Sequence, residues 1–279
     1  INERSTAAAS LTYFTLGDID NTDIDGNKIT TLHPNEFTID ASYALKLSDN
    51  LSLGATGRFL RSDLTNGQTI SDGSSNTATQ AANSLAADIG LYYQQAIDKT
   101  QDFALGAFIS NLGAKLSYSN DDNDKEFLPT NLRIGGRYTN RIDEYNKISV
   151  MLDFNKLLVP TPPLRNDTTA WKDYNQIGVI EGALRSFGDA PGGLQEELQE
   201  IQISAGAEYW YSETFAVRAG YFFEHANKGG RQYATVGVGI RYSYFTGDFS
   251  YLIPTTTIST NSLANTIRVS IGLDMKPTK

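Results

Sequence analysis

The side chains in this sequence best equipped for chemistry are charged residues set at alternate positions of otherwise apolar runs. Asp40, Arg58, Asp88, Arg133, Arg137, Asp153, Glu208, Arg218, Glu224 and Arg268 all fall out of phase with their aliphatic and aromatic neighbours. Carboxylates and guanidinium groups gathered on one face can build an ion-pair and hydrogen-bond network, or a carboxylate pair can work as general acid and base. No spacing singles out one pair for catalysis, so a network is the expectation. The remaining inventory is poor in reactive groups. The 279 residues hold no cysteine and two histidines, His33 and His225, which excludes disulfides, thiolate zinc sites and cysteine nucleophiles. His225 ends a strand pattern, as a loop or interfacial residue would. The expectation is no catalytic residue, no cofactor and no metal.

Two motifs read as less than they first suggest. Asn21, Asp23, Asp25 and Gly26 match the first half of a calcium loop, but Leu32 stands where the acidic twelfth ligand is needed. An acidic surface loop is the plainer reading, as it is for Asp121, Asp122, Asp124 and Glu126. Gly237 and Gly239 lie within a strand pattern, not at a strand-to-helix turn, so they mark close backbone approach and not a dinucleotide site. The formal charge of −9 offers no basic face for nucleic acid.

The elements that must position the charges are strands. Phe37, Ile39, Ala41, Tyr43, Leu45 and Leu47 alternate with Thr38, Asp40, Ser42, Ala44 and Lys46. The same period of two recurs in Ile148–Phe154, Ile201–Tyr211 and Ile267–Met275. Successive strand side chains point to opposite faces, so one face is apolar and the other polar. The pattern predicts twelve strands, at 5–17, 36–47, 51–62, 84–95, 101–112, 131–140, 146–156, 201–212, 215–225, 232–245, 248–253 and 265–276. Strand 232–245 blurs the phase, because Arg241 falls among Thr and Gly positions. Most strands reach the ~9–11 residues of a tilted membrane-spanning strand.

Short turns at 48–50, 96–100, 141–145, 212–214 and 246–247 alternate with longer connections at 18–35, 63–83, 113–130, 157–200, 226–231 and 254–264. Short turns on the periplasmic side and long loops outside are the outer-membrane pattern, and parity then places the C-terminus in the periplasm. Aromatics gather at both ends of the strands. Tyr92, Tyr93, Tyr138, Tyr209, Trp210, Tyr211, Phe215, Tyr242, Tyr244, Phe249 and Tyr251 lie near the short turns. Tyr13, Phe14, Phe37, Phe59, Phe154, Tyr221, Phe223 and Tyr233 lie near the long loops. Two such rings are the girdles of a membrane barrel. An arginine on the lipid face at mid-bilayer costs ~2–4 kcal/mol, so the charges belong inside. A soluble β-sandwich also alternates, but it lacks the loop asymmetry and the girdles. The fold expected is an all-β, antiparallel up-and-down transmembrane barrel in a single domain over 1–279.

The connection 157–200 stands out by its length, since loops beyond ~12–15 residues usually carry function or are disordered. Pro160, Pro162 and Pro163 make a stiff start. Ile177, Ile180, Leu184 and Phe187 recur at helical spacing, Pro191-Gly192-Gly193 breaks the pattern, and Leu194 and Leu198 fit a further turn or two. The segment reads as a lid over the barrel mouth, as a docking surface, or as both. Leu158, Val159, Trp171 and Phe187 are its candidate partner-binding anchors.

Several stretches resemble the PorV (LptO) family, the outer-membrane barrels of type IX protein secretion in the Bacteroidetes. They are SLTYFTLGDI (10–19), PNEFTIDASYALKLSDNLSLGATGRFLRSDL (34–64), KLLVPTPP (156–163), FGDAPGGLQEELQEI (187–201), AGAEYWY (205–211) and VRAGYFFEHANKGGRQYATVGVGIRY (217–242). The resemblance implies a FadL-like barrel of about fourteen strands, so an N-terminal segment and one hairpin would be absent from this chain. It implies a non-enzymatic role and outer-membrane lipid as surroundings. The implied partners are the SprA (Sov) translocon, secreted cargo bearing the C-terminal signal domain, and a surface attachment complex containing the PorU sortase. The family role is binding, so no catalytic residue carries over. The alternative is a FadL-type transporter of hydrophobic small molecules, which would need a greasy interior pocket.

Overall fold

In the computed structural model, residues 3–23, 25–65, 67, 69–71, 76–119, 125–164, 167–256 and 265–275 are described. The alternating segments become β1 (Ser5–Thr15), β4 (Asn35–Lys46), β5 (Leu51–Asp63), β8 (Ala82–Ala96), β9 (Gln101–Gly113), β10 (Asn131–Arg141) and β11 (Asn146–Leu157). They continue as β12 (Gln202–Tyr211), β13 (Phe215–Phe223), β14 (Gln232–Tyr242), β15 (Phe245–Pro254) and β16 (Ile267–Leu273). These form one 12-stranded sheet in which each strand pairs antiparallel with the next, from β1 at one edge to β16 at the other. That is the up-and-down wall of an outer-membrane-type barrel.

The long connections hold structure that the alternation did not predict. Two small hairpins, β2 (Ile19–Thr22) with β3 (Lys28–Leu32) and β6 (Thr69–Ser71) with β7 (Asn76–Ala78), stand apart from the main sheet. In the 157–200 excursion the expected helix is shorter and has a companion. The helices are α1 (Thr168–Gln176), α2 (Val179–Arg185) and α3 (Leu194–Gln199), with Ile177 left between the first two. Asp167 starts α1 by accepting the Ala170 N–H, a capping bond worth about 1 kcal/mol.

Short turns are built by their own polar residues. Asp98 accepts the N–H groups of Thr100 and Gln101, and Asp143 accepts those of Tyr145 and Asn146. Ser212 and Glu213 both take positive φ (52° each) in the three-residue turn 212–214, where the Thr214 N–H donates to Tyr211 O.

Register settles which face is which. Asp40 pairs with Arg58, and Thr56 with Asp88, so these charges share one side. Asp40 is 7% exposed while its neighbour Ile39 is 52% exposed. Leu152 on β11 is likewise exposed. The sheet therefore turns its aliphatic face outward and its charges inward, the reverse of a water-soluble core and the arrangement hydrocarbon requires. Phe37 with Phe59, and Tyr93 with Phe103, make outward aromatic contacts near opposite ends of the wall. The girdles are smaller than the sequence suggested. Phe14, Tyr92, Trp210 and Tyr233 fall on the inward register and leave the rings, because nearness to a strand end does not choose a face. The same register resolves the blurred strand, placing Arg241 inward beside Trp210.

The mouth on the long-loop side is filled by the connection between β9 and β10. Leu116 and Leu128 pack against the inward Ala82 and Ala86, with Leu60 and Tyr118 beside them. Tyr118 donates to Ser62, which donates to Glu36. At the end of β9 the chain bulges. Asn111 adopts φ 57°, and the register with β8 slips between Ala87 and Ile89.

Candidate partner-binding surface and barrel interior

Inside the wall the charges fall into clusters spread around it. In the first, Arg58 lies between two carboxylates, with Nε 2.7 Å from Asp40 Oδ1 and Nη2 3.1 Å from Asp88 Oδ2. Ser10 donates to Asp40, and Arg58 also donates to the Asn111 side chain. The backbone N–H of Asn111 donates to Asp88, so the β9 bulge serves this cluster. In the second, Arg218 bridges Glu208 at 2.6 Å and Asp248 at 2.5 Å. Gly239 makes room for it, since a Cβ there would lie 2.7 Å from Asp248 Oδ1 and 2.8 Å from Arg218 Nη1. The buried Trp210 ring carries Arg218 and Arg241 over it at 5.5 and 4.9 Å. In the third, Arg137 and Arg141 share Asp102.

The other candidate charges are placed singly. Glu224 is buried at the long-loop end and is gripped by Arg231 and Gln202. Burial alone would raise its pKa, but the Arg231 guanidinium and N–H outweigh it and hold the carboxyl below the usual range. Asp153 lies against Gly135, where a Cβ would sit 1.8 Å from its Oδ1. Arg133 and Arg268 are inward by register and exposed to the barrel space. Asp102, Asp248 and Asn111 are the interior partners that sequence reasoning missed. The first two were visible in principle, because they sit in the polar phase of their strands. Asn111 was not, because the bulge breaks the phase.

Among the described residues no cluster of His, Asp and Glu is placed to hold a metal ion. Asp23 instead accepts the N–H groups of Asp25 and Asn27, which closes the turn between β2 and β3. His225 accepts the Asn227 N–H in the turn after β13.

The excursion over 157–200 has two anchorages. At one, Lys115 from the β9–β10 connection donates to the last-turn carbonyls of α1, Tyr174 O at 3.4 Å and Asn175 O at 3.0 Å. A cation there complements the helix C-terminus. Its ammonium also lies 3.9 Å above the Phe127 ring, and burial lowers its pKa. Tyr174 packs edge-on to Phe127 and Trp171 and donates to Pro160 O, and burial pushes its hydroxyl pKa up to about 12. At the other anchorage, Lys156 is held by Glu197 at 2.9 Å and Glu200 at 2.6 Å, while Lys228 binds Glu196 at 2.6 Å and Glu200 at 2.9 Å.

This second anchorage has a pH signature. Lys228 and the Gly192 N–H hold Glu196 below the usual carboxylate range. Burial alone would raise Glu197, but the Ala190 N–H and Lys156 keep it low. Burial alone would lower Lys228, but Glu196 and Glu200 raise it. Depressed carboxylates stabilise the docked helix above their unfolded pKa and stop doing so as pH falls through the lowered values. The raised ammonium contributes below its unfolded pKa and stops as pH climbs through the raised one. Docking of α3 should therefore be constant through neutral pH and fail below about pH 4. A nitroxide on Gln195→Cys should become mobile on that acidification; a spectrum unchanged at pH 3 would rule the ion anchorage out.

The four anchor candidates do not behave alike. Leu158 is only 5% exposed, and this corrects its assignment as a contact residue. Its backbone extends the β10–β11 ladder through an N–H bond to Thr130 O, which fixes the side chain at the buried rim of the wall. Val159 and Trp171 are half-buried, and the Trp171 indole donates to Leu164 O. Phe187 is open, and it is not alone. α2 packs with its small side, Gly182 and Ser186, the former against Phe127 and Pro160. Its other side presents Ile180, Leu184 and, one turn on, Phe187, exposed by 59, 69 and 52%. The amphipathic helix read from the sequence is thus inside out, with its greasy stripe facing away from the protein.

A wall of antiparallel strands, greasy outside and ion-paired inside, with an apolar helix face presented from one long connection, defines a barrel of the outer-membrane type. Residues 1–164, more than half of the chain, match the family model described as type IX secretion system protein PorV. The chain belongs to the PorV family and is an outer-membrane component of type IX secretion. No curated protein sequence matches it. Among solved structures, the crystal structure of a Pseudomonas aeruginosa FadL homologue superposes loosely. Its TM-score is 0.41 at 10% identity, over 98% of this chain and 73% of that one.

Proposed function

We propose that this chain is a non-enzymatic shuttle subunit of type IX secretion. It binds the SprA (Sov) translocon, takes over cargo carrying the C-terminal signal domain, and delivers it to the attachment complex that contains the PorU sortase. The observation that carries this reading, beyond family membership, is the outward stripe Ile180, Leu184 and Phe187. A helix that spends its small side on its own protein and leaves its apolar side in water is built to be covered by another molecule. The interior charge clusters suit a stiff support for that surface better than a reaction centre. Long connections face the exterior and the C-terminus faces the periplasm in this reading.

Affinity purification of the full-length protein from native membranes tests it. Recovery of a very large barrel protein together with signal-domain cargo is expected; recovery of neither would overturn it. A second reading, transport of hydrophobic small molecules, is favoured by one feature. A cavity of about 510 Å³ lies along the wall beside Phe108 and Met151, with Arg133, Arg137 and Asp153 among its lining. A lipid or detergent tail bound there in the purified protein would support that reading.

A further inference from the structure

The excursion over 157–200 does not simply roof the barrel; part of it stands at the outer side of the rim. On β11 the residues Ile148, Val150, Leu152 and Phe154 share the outward face, and Lys156 follows in the same phase, paired with Leu132. Leu158 is next, still on the ladder through its bond to Thr130 O. Phe154 is exposed, yet Lys156 and Leu158 are buried, while Leu157, which faces inward, is open. Whatever covers Lys156 and Leu158 therefore stands on the outer side of the rim. For Lys156 the cover is α3, through Glu197 and Glu200. Beyond Glu200 the chain enters β12, where Ile203 pairs with the outward Phe154 and with Phe223.

The helix so placed has a face to spare. Leu194 and Leu198, four residues apart and so on one side, are 77 and 60% exposed, whereas Glu196, Glu197 and Glu200 are turned to the rim lysines. The geometry points to α3 as an interfacial anchor, with Leu194 and Leu198 resting in the acyl-chain boundary of the leaflet on the long-loop side. Its occupant is lipid because the helix continues the outward row Phe154–Ile203–Phe223. Its three carboxylates are all paired with Lys156 or Lys228, which offsets two of the three charges and lowers the cost of lying at that boundary. The inference rests on the outward sheet face being the lipid face.

The absence of cysteine makes the test direct. Single variants Leu194→Cys, Leu198→Cys, Gln195→Cys and Leu152→Cys are spin-labelled in the full chain. Each is reconstituted in phosphatidylethanolamine–lipopolysaccharide vesicles, with heat-modifiable gel migration confirming the folded barrel. Collisional relaxation by oxygen and by a water-soluble nickel chelate is then compared. The expected result is an oxygen-to-nickel ratio at 194 and 198 approaching that at 152 and several-fold above that at 195. A water-like ratio at 194 and 198, with 152 still lipid-like, overturns the anchor alone. Protection of 194 and 198 from both reagents also overturns it, since protein then covers them. A water-like ratio at 152 overturns the lipid assignment of the outward face, and the anchor falls with it.

Discussion

Replacing Arg58 with methionine is expected to destabilise the barrel by roughly 3–5 kcal/mol, because it removes one partner of a buried charge cluster and strands the others. Arg58 is the only cation bonded to Asp40 and Asp88 among the described residues, and both carboxylates are almost fully buried. Without it, two like charges face each other across β5 with only Ser10 and the Asn111 N–H for support. The protein would have to protonate one of them or admit water. Urea unfolding of the reconstituted protein, followed by heat-modifiable gel migration, reads the loss. The triple change Arg58→Met, Asp40→Asn, Asp88→Asn should recover most of it, because it removes the stranded charges together. A single variant as stable as the parent would show that the cluster is decoration on a wall held by backbone hydrogen bonds alone.

The second large effect is on binding and leaves the barrel intact. Ile180→Ser, Leu184→Ser and Phe187→Ser together should abolish co-purification with the translocon and cargo. Truncating a central apolar anchor commonly costs about 2 kcal/mol or more, roughly thirtyfold in affinity, and three on one stripe act together. Stability should scarcely change, since these side chains are more than half exposed and α2 is held from its other side by Gly182. The informative control is Ser186, buried on that packed side. Ser186→Leu should loosen α2 from Phe127 and Pro160 without touching the stripe. Full co-purification by the triple serine variant would move the partner surface off α2 and leave 157–200 as a structural cover.

What the sequence determined by itself is the wall. A period of two is a local property: each residue's face follows from its neighbour's, and hydrophobicity alternating over ten residues can be satisfied only by a strand with one greasy side. The number of main strands and their order could be read that way, as could the polar phase that Asp40, Arg58, Asp88, Glu208 and Arg218 share. Strand ends are less legible: nearness to a turn groups Trp210 and Tyr92 with the girdles, while their register turns them inward. What tertiary structure alone decided is everything that depends on contacts between distant segments. The bulge that brings Asn111 to Arg58 and Asp88 interrupts the local period. The mouth is filled by Leu116 and Leu128, residues in no pattern, because the adjoining β8 presents the small Ala82 and Ala86 inward. Helical spacing in 177–187 announced an apolar stripe but could not say which way it would face. That was settled by Gly182, small enough to let α2 settle on Phe127 and Pro160, which turns the stripe away from the rest of the protein.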